Sequence, residues 1–315
     1  MAQPILIIVV GPTAVGKTNV CIRLAQHYRT EIISTDSRQF YREMTIGTAK
    51  PDSKELAQVP HHLINSRSVT QPYDVKQFEQ DALSIAQQLF KKYPLAIATG
   101  GSGLYVKTLC EGIDTMPPIS EDSRSFWQEH LQTRGLDYLL KELQRVDPVY
   151  YQQVDKKNYR RVQRALEVYR SSGQPYSDFR KTPKPTQPRP FRTIKVGLTM
   201  NREVLYRRIN QRVDQMIEVG LEAEAKSLSP YQNTNALRTV GYQEWFPYFA
   251  GQYDQEETIR LIKRNTRRYA KRQWTWFNKD PKVAWFNTDQ TNEQLLSDLV
   301  KSIDGKIGPE IGMKG

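Results

Sequence analysis

The chain is poor in cysteine, has no long apolar run and is short of acid. Of its 315 residues only two are cysteine, Cys21 and Cys110, far apart and with no C-x-x-C pair. Neither a disulfide framework nor a cysteine-rich zinc module can be built from them. The longest apolar run, Ile5 to Val10, falls far short of the roughly 20 residues a membrane helix needs, and no basic stretch precedes it as a secretory signal would require. A soluble, cytoplasmic protein with no membrane partner is expected. Adjacent His61 and His62 have no third ligand at suitable spacing, so a histidine metal centre is not expected. Internal repeats are missing too, which leaves no repeat architecture to consider. The shortage of acid, 34 Asp plus Glu against 46 Lys plus Arg for a net charge of +12, makes a polyanion the natural partner. A content of 38% hydrophobic and 25% charged residues is ordinary for a globular protein and excludes disorder as the main state.

The apolar runs that do occur are short, β-branched and closed by glycine. Ile5 to Val10 ends at Gly11 and reads as a strand buried on both faces of a parallel sheet. Val20, Cys21, Leu24, Ala25 and Tyr28 then recur at helical spacing. Glu31 to Ser34 and His61 to Ile64 read as further strands. Asp74 with Gln77 is a capping-box start for a helix that shares Phe78, Ala82, Ile85 and Leu89 on one face. Pro94 closes it and introduces strand Leu95 to Thr99, which runs into the second glycine-rich turn, Gly100 to Gly103. Alternation of this kind predicts an α/β fold with a doubly wound parallel sheet. From Met116 to Phe191 no strand is expected, so this stretch reads as an inserted all-helical domain. Its exit is marked by Pro175, Pro183, Pro185, Pro188 and Pro190, suited to a stiff extended connector. Thr193 to Leu198 is expected to complete the sheet. Helices follow from near Arg202, with Leu205, Ile209, Val213 and Met216 on one side, and from Glu256 to about Trp276. The expected division is a core of residues 1–112 and 191–302, a helical insertion of 113–190, and a flexible tail of 303–315.

Gly11-Pro12-Thr13-Ala14-Val15-Gly16-Lys17-Thr18 matches G-x-x-x-x-G-K-[ST] between an expected strand and an expected helix, the context this phosphate loop requires. Its glycines let consecutive N–H groups wrap a phosphate at a helix N-terminus. Lys17 neutralises oxygens, and the Thr18 hydroxyl suits Mg²⁺. The loop alone means a diphosphate or triphosphate ligand and does not choose between ATP and something else. Far along the chain, Arg260, Lys263, Arg264, Arg267, Arg268, Lys271 and Arg272 lie within fourteen residues that contain no acid. At 100° per residue these cations cover roughly half a helix. A solvated face normally mixes signs, so the stripe suits a phosphate backbone. Arg160, Arg161 and Arg164 add cations on a helix of the insertion whose expected buried side is Val162, Ala165, Leu166 and Tyr169.

Six ordered blocks narrow the choice: Asp36-Ser37-Arg38-Gln39-Phe40-Tyr41, Ile46-Gly47-Thr48-Ala49-Lys50-Pro51, His61-His62-Leu63-Ile64, Gly100-Gly101-Ser102-Gly103-Leu104-Tyr105, Arg164-Ala165-Leu166-Glu167-Val168, and Lys271-Arg272-Gln273-x-Thr275-Trp276. With the phosphate loop, and over nearly the whole chain, they closely resemble the tRNA dimethylallyltransferases, the bacterial tRNA isopentenyltransferase family. Three positions depart from that pattern: Ser102 where Thr is usual, Asn65 where Asp is usual, and Asn278 where a cation is common. The resemblance implies a fold like that of P-loop NTPases and nucleotide kinases. It implies that the loop holds dimethylallyl diphosphate, and that a five-carbon group goes to N6 of the adenine just 3′ of the anticodon in a tRNA anticodon stem-loop. The phosphate loop calls for Mg²⁺ as cofactor, and a monomer is expected.

Given that chemistry, Asp36 is the candidate general base, because an adenine amine must lose a proton as its bond to carbon forms. A role for Asp36 beside Mg²⁺ or the loop stays open. Lys17 serves the leaving diphosphate, and Ser102 either bonds the diphosphate or the amine or is a simple turn serine. By resemblance Arg208 and Arg212 contact diphosphate, with a solvated basic face as the alternative. Asp36 to Gln39 and Ser102 are counted among the tRNA-binding residues. Arg160 to Arg164 (with Val162 and Gln163), Arg238, Gly241, Tyr242, Gln243 and Lys271 to Asn278 line the RNA path, and Arg124 approaches the target loop. Trp274, Trp276 and Phe277 either stack on RNA or close the core. Competing readings are a small-molecule or nucleotide kinase on the same loop, prenyl transfer to free adenine nucleotides, and a non-catalytic RNA-binding protein. The last leaves Lys17 and Thr18 without a purpose.

Overall fold

A computed structural model describes residues 3–114, 116–180 and 188–308. The chain divides into two compact units, one running to Glu111 and resuming at Arg189, the other spanning Gly112–Pro188. In the first unit β1 (Ile5–Val10), α1 (Lys17–His27), β2 (Ile32–Ser34), α2 (Ser53–Gln58), β3 (His61–His62), α3 (Val75–Phe90), β4 (Leu95–Gly100) and α4 (Gly103–Glu111) come first. The second unit holds α5 (Glu121–Val146), α6 (Pro148–Gln153), α7 (Tyr159–Ser172) and α8 (Tyr176–Arg180). The first unit then continues with β5 (Arg192–Thr199), α9 (Arg202–Glu218), α10 (Leu221–Ser227), α11 (Trp245–Phe249), α12 (Gln255–Phe277), β6 (Val283–Asn287) and α13 (Asn292–Ile307).

The six strands form one sheet in the order β3-β2-β4-β1-β5-β6, and every pairing is parallel. Each residue of β1 is at most 1% exposed, as a continuous aliphatic run in a central parallel strand should be. Its side chains alternate between two cores. Ile5, Ile7 and Val9 pack with Leu24 of α1, Leu205 and Ile209 of α9 and Leu299 of α13. Leu6, Ile8 and Val10 pack with Phe78 of α3, Leu109 of α4, Trp245 of α11 and Ile262 of α12. The capping box expected at Asp74 is present, with Gln77 reaching back to it. In the second unit Trp127, Leu139, Leu143, Val162, Ala165 and Leu166 build a separate helical core.

Three expectations need correction. β5 does not complete the sheet, because β6 pairs beyond it from Lys195↔Val283 to Thr199↔Asn287. Pro175 does not open an extended run: α8 follows it directly, at a position where the absent N–H has no helical partner to lose. The rest of the proline connector, residues 181–187, lies outside the described residues. The tail does not loosen at 303, since α13 runs through Ile307 with Ile303 fully buried.

Candidate active site

The parallel register brings three turns to one level at the carboxyl edge of the sheet, where open α/β sheets bind their ligands. Val10 pairs with Gly100 and Ser34 with Thr99. The loop after β1, the Asp36 turn after β2 and the Ser102 turn after β4 are therefore neighbours.

The loop after β1 closes on α1 through Gly16, the N-cap residue, at φ 102° and ψ 19°, a left-handed conformation that glycine adopts without strain. Lys17 Nζ donates to the carbonyls of Gly11 at 3.0 Å and Pro12 at 2.8 Å. Burial drives its pKa down to about 8, against the pull of the Asp36 carboxylate and with a further push from Arg212. Arg212 is itself lowered, by burial and then by Arg208. The Arg208 guanidinium is close enough that a Cβ on Gly16 would lie 3.9 Å from its Nη2. A buried amine and two guanidinium groups gathered at one loop form a receptor for a multiply charged anion. The structure thus brings Arg208 and Arg212 to the loop, although both sit almost two hundred residues away in sequence.

On the acceptor side Asp36 Oδ1 takes hydrogen bonds from the N–H groups of Arg38 at 2.8 Å and Gln39 at 3.2 Å, an Asx-type turn that fixes the carboxylate. Among the described residues its Oδ2 takes none. Ser102 is 9% exposed, and its Oγ accepts from Ser37 N and donates to Ser37 Oγ, both at 3.0 Å. Gln39 is engaged within the fold: its Oε1 accepts from Ser34 Oγ and its Nε2 donates to the carbonyls of Thr48 and Ala49. Arg38 donates to the Ser37 carbonyl through Nη1 and keeps a buried, unpartnered Nε.

Two residues of α12 belong to this site in a way the sequence did not assign: Gln273, expected only in a block along the RNA path, and Tyr269. Tyr269 stands near Ser102, and burial together with the nearby Asp36 charge pushes its phenol up to about 12. Gln273, 5% exposed, accepts from Thr13 N at 2.8 Å and donates to the Gly101 carbonyl at 2.9 Å. The available signal was the place of Gln273 in the ordered block Lys271-Arg272-Gln273-x-Thr275-Trp276.

The RNA candidates separate into exposed and engaged groups. On α12 the stripe is less uniform than expected, because Arg260 pairs with Glu257, Lys263 pairs with Asp214 of α9, and Arg267 donates to Asn210. Arg268, Lys271 and Arg272 are exposed, and Arg264 is half-buried against Asn265. Lys271, Arg272, Thr275, Trp276 and Lys279 line a surface cleft. Trp274 and Trp276 are 44% and 42% exposed while Phe277 closes the core, so the aromatic cluster divides between the two roles weighed for it. Arg238 and Gln243 are exposed. Tyr242 is fully buried with its hydroxyl on Glu224, and the Gly241 N–H is taken by Glu244, which corrects both as direct contacts. In the helical unit Val162 is corrected likewise, at 0% exposure in the core. Arg160 and Arg161 are exposed there, Gln163 and Arg164 turn to the buried Glu167, and Arg124 lies 3.5 Å from Glu121.

The two histidines point to different partners, His61 Nδ1 to the Val59 carbonyl and His62 Nε2 to Glu31. Among the described residues no group of three or more His, Cys, Asp or Glu is arranged to hold a metal, and no helix is long and apolar enough to cross a membrane. Asn65, where the family usually has Asp, accepts from Lys50 Nζ at 2.7 Å and so helps hold the 41–50 segment.

A parallel sheet carrying a phosphate loop after its central strand, with basic side chains converging on that loop, defines a P-loop α/β enzyme. A model of the IPP transferase family matches residues 39–280, and the chain belongs to that family. It is 46% identical over 299 residues to the tRNA dimethylallyltransferase of Christiangramia forsetii, covering 95% of this chain and 98% of the relative. Among solved structures, the full-length tRNA isopentenylpyrophosphate transferase of Bacillus halodurans superposes with a TM-score of 0.72 at 37% identity, covering 97% of each chain. A eukaryotic dimethylallyltransferase acting on tRNA superposes with a TM-score of 0.79 at 26% identity, covering 96% of this chain and 79% of the other.

Proposed function

We propose that this enzyme transfers a dimethylallyl group from dimethylallyl diphosphate to N6 of the adenine 3′ of the anticodon in tRNA. The observation that carries the reading is the adjacency of two unlike sites at one sheet edge. A cluster of Lys17, Arg208 and Arg212 suits a leaving diphosphate, and a fixed carboxylate, Asp36, sits beside it on the acceptor side.

The N6–C1 bond forms as the C1–O bond breaks, and the electron pair of that bond leaves on the diphosphate. The allylic carbon tolerates positive charge, so the loop amides and the three cations have mainly to neutralise the departing oxygens. The N6 proton passes to Asp36, whose Oδ2 is oriented by the two hydrogen bonds on Oδ1. Ser102, held by Ser37, positions the acceptor amine or the diphosphate edge. The Thr18 hydroxyl, in the first turn of α1, is the side chain that would hold Mg²⁺ at the loop. When bound, the ion supplies charge to the diphosphate oxygens. In the first unit Arg238, Gln243, Arg264, Arg268, Lys271 and Arg272 suit an RNA backbone, and in the helical unit, taken by itself, Arg124, Arg160 and Arg161 do so. A cytoplasmic monomer is consistent with this role.

The test supplies purified protein with Mg²⁺, unmodified tRNA and either dimethylallyl diphosphate labelled in its five-carbon group or ATP labelled in its terminal phosphate. Label reaching RNA from the first alone supports the reading. Label from ATP, or prenylation of free nucleotides in place of tRNA, overturns it in favour of a kinase or a nucleotide prenyltransferase.

A further inference from the structure

Gln273 joins the two halves of the site. Its side-chain amide is nearly buried, and both ends are used: Oε1 on the Thr13 N–H of the phosphate loop and Nε2 on the carbonyl of Gly101, the residue before Ser102. Thr13 and Gly101 follow neighbouring strands, β1 and β4, whose last residues are paired. The side chain fills the notch between the two turns so closely that a Cβ on Gly101 would lie 2.0 Å from Nε2. Only a planar amide of this length offers one acceptor and one donor to the two turns. Glutamate would present oxygen to a carbonyl oxygen, lysine and arginine have no acceptor, and asparagine is one methylene too short. Tyr269, four residues earlier on α12, stands near Ser102, while the two bonds of Gln273 let one helix hold the diphosphate turn and the acceptor turn together.

We propose that Gln273 is a positioning residue that sets the separation between the leaving diphosphate and the attacking amine. The inference rests on the prenyl-transfer reading above. Displacement needs carbon, nitrogen and leaving oxygen nearly in line, and a displacement of about 1 Å between the halves is enough to cost roughly 10²-fold in rate. Gln273 never has to touch either substrate to have that effect, because it acts through the Thr13 and Gly101 backbone. A strap that serves only the fold would change stability and leave the saturated rate alone.

Three variants test this. Gln273→Met keeps the length and removes both polar ends. Gln273→Glu keeps the acceptor and loses the donor. Gly101→Ala expels the side chain from the opposite side, so the inference does not depend on one substitution folding. Each is loaded with tRNA and saturating labelled dimethylallyl diphosphate, and single-turnover transfer is followed alongside tRNA affinity by anisotropy and the melting temperature.

Gln273→Met and Gly101→Ala are expected to lower the saturated transfer rate about 10²-fold, with tRNA affinity within a few-fold of wild type. Gln273→Glu is expected to recover, relative to wild type at each pH, as the medium is acidified and its carboxyl gains a proton to donate to Gly101. Saturated rates of Gln273→Met and Gly101→Ala equal to that of an active wild type overturn the proposal, as does a loss confined to tRNA affinity. Absence of transfer by the wild type itself is a failure of the prenyl-transfer reading, and the two results cannot be confused.

Discussion

Lys17 carries a charge that its surroundings make costly. Burial lowers its pKa to about 8, and Arg212 adds to the effect while Asp36 opposes it. An amine with a lowered pKa loses its proton as the pH climbs past that value, so the free enzyme loses affinity for a diphosphate on the alkaline side. The expected profile is a kcat/KM for dimethylallyl diphosphate that falls about tenfold per pH unit above pH 8. Once bound, the diphosphate raises the lysine again, so kcat should stay flat to higher pH. Equal alkaline limbs in both parameters would point to another group.

At the same scale, Asp36→Asn preserves shape and can still accept the turn hydrogen bonds, but it cannot take a proton. Single-turnover transfer from the preformed tRNA complex should drop roughly 10²-fold or more, with tRNA affinity within a few-fold of wild type. A rate near wild type would leave Asp36 only the turn-forming role that its Oδ1 already performs.

At the scale of elements, α12 has two faces with different work. Arg260 and Lys263 are partnered by carboxylates and Arg267 by Asn210, while Arg268, Lys271 and Arg272 face solvent. Replacing the three exposed cations with Gln should flatten the plot of log tRNA affinity against log salt by about one unit for each phosphate no longer neutralised. The same change at Arg260 and Lys263 should alter the slope little. Equal slope changes from both sets would mean the carboxylate pairs break on binding.

The 45–47 loop supplies a second element-level test. Glu224 of α10 accepts from the N–H groups of Thr45, Ile46 and Gly47 and from the Tyr242 hydroxyl. Glu224→Ala leaves those donors without their acceptor and should cost about 2 kcal/mol in a urea titration. An unchanged midpoint would show that water replaces the carboxylate.

For the molecule as a whole, what could be read from the chain followed locality. β1 and the phosphate loop were legible because a buried parallel strand is an unbroken aliphatic run, and the glycines and Lys17 stand beside it in sequence. The capping box at Asp74 and Gln77 was legible for the same reason. β6 was not, because Val283-Ala284-Trp285-Phe286-Asn287 is short and, at the sheet edge, mostly only half-buried, so it lacks the continuous apolar run that marks an inner strand. The contacts that Gln273 and Tyr269 make at this site were hidden by distance. Their partners Thr13 and Ser102 lie far away along the chain, and only the rotation of α12 over the sheet decides that these two residues face inward while Arg268 and Arg272 face out. Val162 and Tyr242 show the reverse error, since sequence blocks that accompany a function include the core residues that hold the block in place.

The most direct measurement locates the product. Unmodified tRNA is treated with the enzyme, Mg²⁺ and dimethylallyl diphosphate, digested with sequence-specific nucleases, and each fragment and nucleoside is weighed by mass spectrometry. The account predicts one added five-carbon group, on N6 of the adenosine 3′ of the anticodon, with the rest of the tRNA unchanged. A mass gain elsewhere in the tRNA, a phosphate in place of a prenyl group, or no gain with intact tRNA and substrate would contradict it.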